Sequence, residues 1–84
     1  MASLLEKAEE LRVTTNVEGT PLTITRNGKP ERVTRIYRQW HVSGKSDDQA
    51  IGKRYFKVRT SRGLVYDISR DTTSKRWYLD GILD

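Results

Sequence analysis

The chain contains no cysteine, which excludes a disulfide framework and any thiolate metal site. Its only histidine is His41. A serine nucleophile would therefore have a single candidate base of the usual kind, and a strand-end histidine is the simpler reading of that residue. No run of about 18 apolar residues occurs, so no membrane-spanning helix is expected. The acidic N-terminal stretch also lacks the apolar core of a signal peptide, which leaves the cytoplasm as the expected address. Full phosphate-loop motifs are missing as well. Gly28-Lys29 and Gly44-Lys45-Ser46 are fragments without the required spacing or a following helix. The acidic pair Asp47-Asp48 falls in a polar stretch, where it reads as solvated rather than as a cation site. These absences point to a non-enzymatic protein with no catalytic residues, no cofactor and no metal.

What the chain does have is positive charge and β-pattern. Its 84 residues carry a net charge of +5, and they are expected to form one domain. The charge is uneven. Residues 1–20 have net −2, residues 26–62 hold eleven basic and three acidic residues for net +8, and residues 63–84 have net −1. A basic middle of this kind suits a polyanionic partner, DNA or RNA.

Tyr55-Phe56-Lys57-Val58-Arg59-Thr60 alternates with the period of a half-buried strand, and so does Leu64-Val65-Tyr66-Asp67-Ile68. A three-residue loop ending in Gly63 pairs Thr60 with Leu64, Val58 with Tyr66, Phe56 with Ile68 and Lys57 with Asp67. The shorter loop would set Val58 against Asp67, and a one-residue slip of that kind turns apolar residues to the wrong face. Arg76-Trp77-Tyr78-Leu79-Asp80 supplies a third strand. Phe56, Val58, Tyr66, Ile68, Trp77 and Leu79 then form one apolar layer. Tyr55, Lys57, Arg59, Val65, Asp67 and Tyr78 lie opposite.

Upstream, Ser3-Leu4-Leu5-Glu6 is a capping-box pattern, and Leu4, Ala8 and Leu11 follow at helical spacing. This predicts a short amphipathic helix within residues 3–12, docked on the sheet. Residues 13–21 read as a linker, with a short strand over Arg12 to Thr15 as the alternative. Leu22-Thr23-Ile24-Thr25-Arg26 followed by Asn27-Gly28 predicts a tight hairpin that sets Leu22 opposite Val33 and Ile24 opposite Glu31. Pro30 cannot donate to a ladder, which predicts that this hairpin lies at an exposed sheet edge. Residues 31–42 read as one long strand. Its apolar phase switches, and a bulge near Arg35 accounts for the switch. Residues 43–50 read as a surface loop.

The expected fold is thus mainly β: about five antiparallel strands near 22–26, 31–42, 53–60, 64–70 and 75–82, in a curled sheet or small open barrel. The expected core is Leu22, Val33, Ile36, Trp40, Phe56, Val58, Tyr66, Ile68, Trp77 and Leu79, closed on one side by Leu4, Ala8 and Leu11. Tyrosines flanked by cations on a sheet stack bases and neutralise phosphates. The candidate nucleic-acid-binding residues are accordingly Arg32, Arg35, Arg38, Lys53, Arg54, Tyr55, Lys57, Arg59, Arg62 and Tyr78. The bland reading is an ordinary outer sheet face, with Lys57 and Asp67 as a cross-strand pair.

Val33-Thr34-Arg35-Ile36, Gln39-Trp40-His41-Val42, Arg54-Tyr55-Phe56-Lys57-Val58, Val65-Tyr66-Asp67-Ile68-Ser69-Arg70-Asp71 and Lys75-Arg76-Trp77-Tyr78-Leu79 follow one another in a distinctive order. Over residues 22–84 this resembles a small uncharacterised bacterial domain. In that family a Trp-x-Val strand end precedes an R-[EDR]-[YF]-[FW]-x-V strand, a Y-x-[LIV]-x-R-D segment and a G-R-W-Y-L strand. Ser74 stands where those relatives usually carry glycine. Some relatives neighbour, or are fused to, proteins similar to Y-family translesion DNA polymerases. The resemblance implies no catalytic residues. It implies an accessory role in DNA repair, with nucleic acid or such a polymerase homologue as partner. The alternative is a protein-interaction or scaffold module that uses its exposed sheet edge and N-terminal helix.

Overall fold

The computed structural model describes residues 9–46 and 49–83. Six antiparallel strands follow in order: β1 (Glu9–Thr15), β2 (Pro21–Arg26), β3 (Lys29–Ser46), β4 (Gln49–Thr60), β5 (Val65–Asp71) and β6 (Trp77–Leu83). Each pairs with its sequence neighbours, and β1 pairs with β6 to close a barrel. Closure removes the free edges that an open sheet leaves.

The C-terminal meander follows the alternation of its sequence. β4 and β5 pair in the expected register, with Phe56 opposite Ile68, Lys57 opposite Asp67 and Val58 opposite Tyr66. The turn is closed by Thr60 N–H donating to Leu64 O and Gly63 N–H donating to Thr60 O. Gly63 takes φ +82°, a value that only glycine adopts freely. Asn27 and Gly28 likewise take φ 53° and 75°, the paired positive values of a tight hairpin. Ile24 therefore stands opposite Glu31. The β5–β6 turn is held by Asp71, whose Oδ1 accepts from Thr73 N at 2.8 Å and Ser74 N at 3.1 Å. Those two bonds hold the Asp71 carboxyl below its ordinary range. In this turn Lys75 takes a positive φ, 62°.

Leu11, Ile24, Phe56, Val58, Tyr66, Ile68, Trp77 and Leu79 fill the interior, with Val13, Val33, Ile36 and Leu64 packed against them. The Phe56 and Trp77 rings lie 5.5 Å apart. Inside this apolar lining sits one carboxylate. Glu31 is 2% exposed. Its Oε1 accepts from Thr60 Oγ1 at 2.7 Å, and the Tyr66 hydroxyl stands 3.0 and 2.9 Å from its two oxygens. Burial, and then the hydrogen bond and charge of Glu31, push the Tyr66 phenol above its ordinary value.

Several expectations are corrected. No helix occurs among the described residues; Glu9–Thr15 is a strand. Leu11 does reach the core, but as a strand residue paired with Trp77. Leu4, Ala8 and the Ser3 cap lie outside the described residues. The expected linker is mostly β1 and a turn, in which Asn16 Oδ1 accepts from Glu18 N and Thr20 N. The expected loop over 43–50 is largely strand, since β3 runs to Ser46 and β4 starts at Gln49; Asp47 and Asp48 lie outside the described residues. Leu22 is 47% exposed rather than core. A register slip between Thr14 and Thr15, opposite Pro21, turns Pro21 inward in its place. The Pro30 hairpin leaves no open edge, because β2 is held by β1 on one side and β3 on the other. Pro30 pairs with Thr25, next to the closing pair Arg26–Lys29. At that ladder position the backbone nitrogen points away from the partner, so the missing N–H costs the β2–β3 ladder no bond.

Trp40 is the most consequential correction. One bulge near Arg35 was expected, and β3 has two irregularities, between Val33 and Arg35 and between Ile36 and Arg38. The first brings Ile36 inward opposite Val58. The second, at Tyr37, reverses the phase again, so Gln39 falls opposite Phe56 and Trp40 opposite Tyr55 on the outside. Trp40 is 37% exposed, against 6% for Trp77.

Candidate nucleic-acid interface

The outer surface of β3, β4, β5 and β6 is laid out in rows by the ladders. Val42, Lys53 and Asp71 form one row; Trp40, Tyr55, Ser69 and Tyr78 the next, with Ser69 fully covered; Arg38, Lys57, Asp67 and Gly81 the third; Arg35, Arg59, Val65 and Leu83 the fourth. Directly opposite residues of an antiparallel pair share a face, so each row is a line of neighbours across the barrel wall.

Two aromatic–cation units stand on this wall. The Trp40 and Tyr55 rings stack at 5.2 Å with 9° between their planes. The Arg38 guanidinium carbon lies 4.8 Å from the Trp40 ring centre. Beside this pile, Arg35 lies 5.1 Å from the ring centre of Tyr37, the exposed bulge residue. The second bulge of β3 creates both units at once, by putting Tyr37 out of the ladder and turning Trp40 outward.

Of the ten sequence candidates, Arg35, Arg38, Lys53, Tyr55, Lys57, Arg59 and Tyr78 share this wall. Arg32 stands apart, opposite Thr23 on the β2–β3 ladder. Two candidates stand off this wall. Arg54 belongs to the inward phase, with its guanidinium 5.1 Å from the Phe56 ring and Nη1 donating to Glu18 O at 3.3 Å. It secures the β1–β2 turn at one mouth of the barrel, beside Arg70, which lies 6.0 Å from the Trp77 ring. Arg62 is on the β4–β5 turn, where Nη1 stands 3.9 Å from the buried Glu31 carboxylate. The anticipated Lys57–Asp67 pair has the right register, yet no ion pair joins the two side chains.

The sequence reading missed Trp40 as a surface ring, and it missed Glu31 as a buried group. The signal for Glu31 was available: pairing with Ile24 puts both on one face, and Ile24 is a core residue.

Between the β3–β4 side and the β5–β6 side lies a groove of about 300 Å³, lined by Arg38, Trp40, Tyr55, Lys57, Asp67, Ile68 and Asp80. Its acidic side comes from a register slip between Asp67 and Ile68, which leaves Asp80 unpaired in β6. No group of acidic or histidine side chains able to hold a metal occurs among the described residues.

Compared with known proteins, the chain matches no family model, no curated protein and no solved structure. The wall itself is what any functional argument rests on.

Proposed function

We propose that this barrel is a non-enzymatic module that binds single-stranded nucleic acid along the outer wall of β3 and β4. The observation that carries the reading is the Arg38–Trp40–Tyr55 pile on the outer wall, with cations on the ladder rows to either side. Stacked rings offer a sequence-tolerant platform for bases, worth about 1–3 kcal/mol per base. Arg35, Lys53, Lys57 and Arg59 stand on the ladder rows to either side of it and offer charge to a phosphate backbone. A single strand fits better than a duplex, because bases reach a ring only when unstacked from each other. A role beside a translesion polymerase homologue, as the resembled domain implies, is compatible with this reading. The protein-interaction alternative is weaker, since barrel closure covers the edge it required.

The test is titration of the protein with single-stranded DNA, duplex DNA and RNA, read by quenching of Trp40 fluorescence and by amide shifts. Affinity falls with salt, with a log–log slope of about −3 for roughly four contacted phosphates on a single strand. Reversing both charges with Lys57→Glu and Arg59→Glu abolishes binding while the melting temperature stays near wild type. Absence of binding at low salt, or shifts confined to β1 and β2, overturns the reading.

A further inference from the structure

At the mouth of the barrel capped by the β1–β2 turn, the ladders set three basic side chains in one row. His41 stands opposite Arg54, and Arg54 stands opposite Arg70. The row ends on the buried Trp77. The His41 ring lies on the same face as Arg54, with Nε2 3.4 Å from where a side chain on Gly52 would begin. Like charges directly opposite one another destabilise a sheet, yet the two arginines are held close. Arg54 Nη1 and Arg70 Nη1 lie 2.6 and 3.9 Å from one point, the place where a side chain on Gly19 would begin. Any side chain there would push Arg54 away. Each guanidinium lies over a core ring, Phe56 or Trp77, and both residues are half-buried. Neither forms an ion pair among the described residues. The acids nearby are used otherwise. Glu18 accepts from Arg54 through its backbone oxygen, and Asp71 Oδ1 accepts from the Thr73 and Ser74 amides.

We infer that this mouth is a phosphate site, in which Arg54 and Arg70 clamp one phosphate group and His41 forms the rim. The site lies on the inward phase, off the outer wall of β3 and β4, so the inference goes beyond the single-strand reading and does not rest on it. Two adjacent half-buried guanidinium groups without a counter-ion call for an anion. One guanidinium fork matches both oxygens of a carboxylate. A phosphate has the charge and the oxygens to engage two forks, through N–H···O⁻ bonds of about 2.7–2.9 Å. Arginine carries five N–H donors. Arg54 spends one on Glu18, and Arg70 Nε is covered without a partner, so the terminal nitrogens are the ones offered to the ligand. Packing over the rings holds both forks in place beforehand, which lowers the ordering cost of binding. Free phosphate and the terminal phosphate of an oligonucleotide share this chemistry.

The test titrates the full chain with sodium phosphate, against sodium chloride at matched ionic strength and fixed pH. Nuclear magnetic resonance follows the ring of His41, the only histidine, and the amides of Gly19 and Arg70. Phosphate should move these signals saturably and raise the melting temperature above that in chloride, as a ligand of the folded state does. Arg70→Gln should weaken phosphate binding about tenfold or more, the scale of one lost charge-assisted hydrogen bond. Arg70→Lys, which keeps the charge and loses the fork, should fall between. Arg32→Gln removes the same charge beside the β4–β5 turn, where Arg32 O accepts from Ser61 N, and should leave phosphate affinity unchanged. An oligothymidylate phosphorylated at either end is then compared with the same oligomer ending in hydroxyls. Tighter binding of a phosphorylated form, abolished by Arg70→Gln, assigns the site to a strand terminus; equal affinity assigns it to the free ion. Equal responses of the three signals to phosphate and chloride overturn the inference, and so does a phosphate affinity that survives Arg70→Gln.

Discussion

Removing the Tyr66 hydroxyl tests whether the buried Glu31 carboxylate is held by named donors. Tyr66→Phe keeps the ring in the core and deletes one atom, so almost no packing changes. What is lost is a hydrogen bond at 2.9–3.0 Å to a carboxylate that is 2% exposed. Hydrogen bonds to charged groups contribute about 1.5–3 kcal/mol, and a buried acceptor stripped of a donor sits at the upper end of that range. Thr60 Oγ1 remains at 2.7 Å, which keeps the loss from being larger. A domain of this size has about 4–13 kcal/mol of stability in all, so the expected loss is a substantial share of it. The melting temperature should drop by on the order of 10 °C. Urea unfolding followed by Trp77 fluorescence measures the change directly. The variant also has a pH signature. In the unfolded chain Tyr66 ionises near its ordinary value of 10.0, and in the folded barrel burial and Glu31 hold it above that value. The contribution is complete below pH 10 and is lost as pH rises through the folded value. That alkaline slope should be missing in Tyr66→Phe. A stability change below about 0.5 kcal/mol at neutral pH, the size of an ordinary surface substitution, would refute the assignment of Tyr66 as a donor to Glu31.

The two tryptophans should behave oppositely. Trp77→Ala should cost about 3–5 kcal/mol, as for any large core ring, whereas Trp40→Ala should cost well under half of that and weaken binding of single strands; parallel urea and oligonucleotide titrations check both. Lys75→Gly should stabilise the barrel by about 0.5–1 kcal/mol, because a side chain at φ 62° pays a left-handed penalty that glycine avoids; an unchanged or lower urea midpoint would contradict it. Tyr55→Ala should weaken binding of single strands more than of duplex, measured in the same titrations.

The β4–β5–β6 meander was legible because two signals agreed there. Strict alternation assigned the faces of all three strands, and a glycine turn of known length set the register of β4 on β5. Where only one signal existed, the reading failed. Leu11 fits both a helical period from Leu4 and a two-residue period with Val13, and nothing local favours the strand. The deciding term is the pairing of β1 with β6, which joins the two ends of the fold and leaves no mark in a local window. Trp40 was misplaced for a related reason. A single phase switch in β3 can be seen from Val33 and Ile36, but a second switch one residue later hides in the first. The cationic wall was visible as composition, and its aromatic centre was not, because that centre exists only through the second bulge. Arg54 sits at the mouth rather than on the wall, a position that alternation alone does not reveal because it does not say where the barrel ends.

The ring of strands is fastened by a short clasp. Among the described residues, Glu9–Leu79, Glu10–Tyr78 and Leu11–Trp77 join β1 to β6, whereas β3 and β4 share twelve pairs. Every other junction links sequence neighbours, so the clasp alone carries the entropy of closing nearly the whole chain. It is therefore the last junction to form in folding and the first to part in native-state breathing. Parting exposes two complementary strand margins, β1 and β6, without dissolving the remaining meander. In that state the β1 of a second copy fits the vacated margin of β6 as well as the chain's own, and a reciprocal exchange yields a strand-swapped dimer. Such exchange is the expected consequence of high concentration, or of any change that loosens Leu11 from Trp77.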